Sequence, residues 1–139
     1  VSRNQIMAIK EESVTDQKNS LTVCLDNILR HAGITRNTEY DLAQGKTAIQ
    51  ILEENMTGVQ VLDLSGCSLD AVLYYVNQDI PVLAILEDGE AVLVTGFNEF
   101  NVVIMEPSTG KLYKKGMNDA TTWFAENGNH FISYMKIDN

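Results

Sequence analysis

Covalent chemistry has few places to reside in this chain. Among 139 residues there are two cysteines, Cys24 and Cys67, and two histidines, His31 and His130. Cys24 is the obvious candidate nucleophile, with Gln17 upstream as a donor to an oxyanion. Yet Cys24 falls on an apolar stripe with Leu21, Leu25, Ile28, Leu29 and Ala32, and its reading as a small buried hydrophobe outweighs the catalytic one. His31 cannot serve as its base, because the helical rise from position 24 to 31 is roughly 10 Å, beyond hydrogen-bond reach. An imidazole-dependent mechanism within the chain therefore turns on His130. That residue opens the last strand, where a surface or capping role is the ordinary reading.

Other motifs are weaker. Gly45-Lys46-Thr47 echoes the end of a phosphate loop, but the glycine that loop needs at position 40 is Tyr40, and no strand precedes it. HExxH, paired CxxC and dinucleotide-binding patterns are absent. Glu87, Asp88 and Glu90 crowd one turn, and carboxylates are calcium ligands. A solvated hairpin tip accounts for them better. Asn55-Met56-Thr57 is a glycosylation sequon, informative only where the source glycosylates. No cofactor and no metal is expected.

The elements that must position these residues centre on 80–111. There, Pro81–Leu86, Ala91–Phe97 and Val102–Glu106 are apolar β-rich runs with short links. Asp88-Gly89 is a hairpin signal. Links this short exclude crossover helices, so the strands are expected to be antiparallel neighbours. Each run is apolar on both faces, which predicts a sheet covered on both sides.

Around this sheet, Val1–Glu12 reads as a short strand or arm and Ser13–Asn19 as a loop. Ser20 stands at an N-cap position before the helix Ser20–Ala32, and Gly33 stops it. A short helix is expected near Glu39–Gln44. Thr47 caps Ala48–Asn55, Val59–Leu64 is a short strand, and Ser68 opens the helix Leu69–Asn77. Lys111–Lys114 adds a strand. Asn118 is read as the cap of a last helix whose Ala120, Trp123 and Phe124 face the core. His130–Ile137 closes the chain as a strand. The order gives an α+β class in one domain, 1–139, expected to be a piece of a longer protein because it starts at Val1.

A net charge of −9 repels phosphate, so nucleic acid and anionic membranes are not expected partners. No apolar run approaches the ~20 residues that span a bilayer, so no membrane insertion is expected.

The order of motifs resembles the papain-like peptidases of the bacteriocin-processing, double-glycine type and their secreted relatives. The matching segments are Pro81-Val82-Leu83, then Gly89-Glu90-Ala91-Val92-Leu93-Val94-Thr95-Gly96-Phe97, then Glu106-Pro107-Ser108-Thr109-Gly110, with Trp123-Phe124 and the closing strand following. The resemblance covers roughly Ser13 to Ile137. It implies a papain-like fold with N-terminal helices on a C-terminal antiparallel sheet. Aligning the glycine that ends the family's first helix on Gly33 places the triad positions at Ser20, Glu90 and Glu106, where the family has Cys, His and Asp. Gln17 would stand at the oxyanion position, closer to Ser20 than the family spacing.

Such a set cannot do thiol chemistry. A glutamate, with an ordinary pKa near 4.3, is about two units too acidic to act as a good base at neutral pH, and a serine without a positioned base is inert. The resemblance thus implies a non-catalytic peptidase-like binding module of an exported or cell-surface bacterial protein. Its partners would be an extended peptide or a neighbouring domain. Two alternatives stand beside it: a cysteine hydrolase using Cys24 and His130, and a metal-binding domain in which a cation bridges Glu90 and Glu106.

Overall fold

The computed structural model describes residues 5–6 and 19–137. Gln17 and the rest of the loop 13–18 lie outside the described residues, as does the arm apart from Gln5–Ile6. The elements run β1 (Gln5–Ile6), α1 (Ser20–His31), α2 (Glu39–Ala43), α3 (Ala48–Asn55), β2 (Val59–Asp63), α4 (Leu69–Val76), β3 (Val82–Ile85), β4 (Ala91–Phe97), β5 (Asn101–Glu106), β6 (Lys111–Gly116), α5 (Met117–Glu126) and β7 (His130–Lys136). The class is α+β. Among the described residues all strand pairings are antiparallel, in the order β2-β7-β3-β4-β5-β6, with β1 pairing on β4.

Strand β4 is the spine. All seven of its residues are buried, so both faces of the sheet are covered, as its unbroken apolar run predicts. Helices α1 and α4 both contact β4; α3 packs on α1, and α5 packs on α4. Leu25, Ile28, Leu29, Leu83, Leu93, Ile104, Phe124 and Phe131 belong to one continuous core. Cys24 lies in it, fully buried.

Two helix starts differ from the sequence reading. The cap of α1 is Asn19, whose Oδ1 accepts a hydrogen bond from the Leu21 N–H at 2.8 Å. Ser20 is the first helical residue, and its hydroxyl is used elsewhere. Helix α5 begins at Met117 after Gly116, one residue before the expected cap Asn118. The reason is tertiary. Strand β6 pairs with β5 as far as Gly116 opposite Asn101, and the Met117 N–H then donates to the Phe100 carbonyl at 2.8 Å. The chain turns where that ladder ends, with Gly116 at the cap, so the good capping side chain two residues further on, Asn118, is not used.

Candidate functional site

The N-terminus of α1 abuts the β3–β4 hairpin. Asp88-Gly89 makes the tight turn as expected: Gly89 has φ of 86°, and the Glu90 N–H donates to Asp88 Oδ1 at 2.9 Å. This sets Glu90 immediately before β4. Ser20 Oγ donates to Glu90 Oε2 in a short hydrogen bond and accepts from the Ala91 N–H at 2.8 Å. One hydroxyl thus ties the start of the first helix to the start of the central strand.

Glu106 arrives from the end of β5. Leu93 pairs with Met105 and Val94 with Ile104, so the side chains of Val92, Val94, Ile104 and Glu106 alternate onto one sheet face. Glu90, two residues before Val92, shares that face. Tyr113 pairs with Ile104 and joins them. Glu106 Oε1 accepts from the Ser108 N–H and hydroxyl at 3.1 and 3.0 Å. Buried Pro107 lies between those two residues.

Ser20, Glu90 and Glu106 therefore stand around one cleft of about 450 Å³, also lined by Asn19, Asp88, Ser108, Tyr113 and Trp123. Sequence reasoning missed Asn19 as the cap, and Tyr113 and Trp123 as cleft walls. Trp123 packs on Phe124, with ring centroids 4.9 Å apart, and is only half-buried, so the same ring serves core and cleft. A tryptophan at helical spacing signals core; the register that also exposes its edge comes from the fold.

The other candidates lie elsewhere. Cys24, one turn inside α1, has 0% of its surface exposed and does not line this cleft. Burial, and then the charge of Glu106, push its thiol far above the ordinary cysteine range. His130 is exposed and lines a second cleft of about 400 Å³ with Asp63, Ser65 and Leu86. Its ring lies over Gly128, where an added Cβ would meet Nε2 at 2.8 Å. Burial keeps the Cys24 thiol out of the cleft that the His130 imidazole lines. His31 Nε2 lies 3.0 Å from the Asp79 carbonyl oxygen, at the far end of α1 from Ser20.

Glu87, Asp88 and Glu90 are exposed, as a hairpin tip predicts. Among the described residues no three of His, Cys, Asp and Glu converge as a metal site would require. No described helix is long and apolar enough to cross a membrane. Lys46, in the loop-like Gly45-Lys46-Thr47, pairs with Glu54 at 2.6 Å, while the Thr47 hydroxyl accepts from the Gln50 N–H in a capping box. Those residues have structural uses.

No family profile matches the sequence, and no curated protein matches it. Solved structures do. One is the crystal structure of a protein described as a C39-like peptidase from Bacillus anthracis, with a TM-score of 0.76 over 97% of this chain and 99% of that one. The sequences are 14% identical, so the likeness is one of fold: this chain has the α+β, papain-like architecture of a C39-like peptidase.

Proposed function

We propose that this domain is a non-catalytic peptidase-like module that binds an extended segment, from a peptide or a neighbouring domain, within a larger exported or cell-surface bacterial protein. The observation that carries the reading is the occupancy of the helix α1 terminus. The hydroxyl of Ser20 is engaged by the Glu90 carboxylate on one side and the Ala91 N–H on the other, and neither histidine lines this cleft.

A carboxylate can accept the serine proton only weakly at neutral pH. Unlike imidazole, it carries a negative charge that opposes an alkoxide or thiolate beside it. The nearby thiol is no substitute. Even an unperturbed thiol of pKa ~8.5 is only about 3% thiolate at pH 7, and Cys24 is pushed higher by burial and by Glu106. What remains is a cleft in a fold whose relatives handle peptides.

The test pairs binding with turnover. Purified protein is titrated with short blocked peptides, and the same peptides are followed for cleavage by mass spectrometry. Saturable binding without cleavage supports the module. Cleavage abolished by Ser20→Ala would instead make it an enzyme.

A further inference from the structure

We propose that the Ser20–Glu90–Glu106 cleft takes the cationic side chain, Lys or Arg, of an extended peptide. This rests on the binding-module reading and names its ligand.

The walls select the charge. Asp88, Glu90 and Glu106 line the cleft together with the rings of Tyr113 and Trp123, and no Lys, Arg or His is among the lining residues. Among the described residues none of the three carboxylates makes an ion pair. Glu106 commits Oε1 to Ser108; Oε2 makes no hydrogen bond among the described residues. Its field is felt by its neighbours. After burial itself, the charge of Glu106 is what pushes up both the Tyr113 phenol and the Cys24 thiol. A chain of net charge −9 adds an attractive background for a basic partner.

The same walls select an organic cation over a metal ion. The carboxylates do not gather at one point, since no group of three converges as a metal needs. An ammonium on a flexible stem, or a planar guanidinium, meets dispersed oxygens one by one and lays its apolar part on aromatic faces. The chain already uses Trp123 in this way: Lys115 Nζ sits 4.8 Å from the ring centroid. A volume of about 450 Å³ suits a side chain and its flanking backbone. An apolar or anionic ligand would leave the carboxylates desolvated or repelled.

Trp123 is the only tryptophan, so its fluorescence reports occupancy directly. Terminally blocked peptides bearing one Lys or Arg are titrated beside versions carrying acetyl-lysine or citrulline at the same position. The basic peptides are expected to bind about tenfold more tightly than the neutral ones, with an advantage that shrinks as salt is raised. The doubly substituted Asp88→Asn, Glu106→Gln protein, checked for folding by its thermal midpoint, is expected to lose the preference, so that basic and neutral peptides bind it alike. Equal affinity for charged and neutral peptides overturns the cationic assignment but leaves the binding module standing. So does a preference that survives in the double variant. Failure of every peptide to bind overturns both.

Discussion

The hydroxyl of Ser20 and the carboxylate of Glu90 meet across 70 residues of chain. The contact joins the first turn of α1 to the hairpin that launches the central strand. Its own protein holds the hydroxyl on two sides, as a donor to Glu90 and an acceptor from the Ala91 N–H.

Removing it should therefore be felt in stability. Ser20→Ala loses a charge-assisted bond to Glu90 and leaves the Ala91 N–H without its acceptor. Together these are worth roughly 1–3 kcal/mol. The expected outcome is a lower urea midpoint with an unchanged slope. Combining Ser20→Ala with Glu90→Gln should cost less than the sum of the two single changes. Strict additivity would show that the two residues do not interact in solution.

The buried thiol gives an alkaline limb to stability. Its folded pKa is raised, so the unfolded chain loses this proton first, near the ordinary thiol value of ~8.5. Above that pH the unfolded state binds fewer protons than the native state, and unfolding free energy falls by up to about 1.4 kcal/mol per pH unit from this group. The contribution is intact below pH ~8.5 and erodes as pH rises. Urea titrations at increasing pH should show this slope in wild type and a flatter one in Cys24→Ala. Parallel slopes would assign the limb to other groups, such as Tyr113 and Tyr134, whose phenols are also raised by burial first.

Gly128 ends α5 with φ of 87°, and a Cβ there would stand 2.8 Å from His130 Nε2. The imidazole is exposed and can swing aside, so the backbone sets the cost. Gly128→Ala should destabilise by about 1–2 kcal/mol, and by nearly as much in a His130→Ala background. A penalty that vanishes with the imidazole would assign the cost to the ring.

Wild type is expected to cleave no peptide, double-glycine leaders included, from pH 5 to 9, roughly the range of a working Cys–His pair. Rebuilding the family set with Ser20→Cys, Glu90→His and Glu106→Asp should raise the alkylation rate at position 20, as an imidazole beside a thiol at a helix N-terminus does. Iodoacetamide labelling followed by peptide mapping measures this. Turnover by wild type that survives Ser20→Ala and Cys24→Ala would place the chemistry outside both residues.

The strands were legible because their signals are local. Valine- and isoleucine-rich runs stop at Asp88-Gly89 and at Pro107, and no competing pattern overlaps them. The burial of Cys24 was legible for a similar reason, since its stripe on α1 has helical spacing. The start of α1 was not, because Asn19 and Ser20 are equally good capping residues. The choice is made by Glu90 and Ala91, far along the chain. Likewise Asn118 satisfies every local rule for a cap, and the β5–β6 ladder overrules it. Tyr113 and Trp123 enter the cleft through cross-strand register and helix placement, which the sequence encodes only through the whole fold.

Strand β7 lies between β2 and β3, although it follows both in sequence. Val59 pairs with Lys136 and Leu83 with Ile132, so β2 has no described strand neighbour but the last element. During synthesis the first two of these strands emerge with an open seam where the third belongs, and the core beneath them waits for residues 130–136. Pairings of such long separation are slow to form. The exposed seam is where a partly made chain would be captured by a chaperone or mispair with another copy.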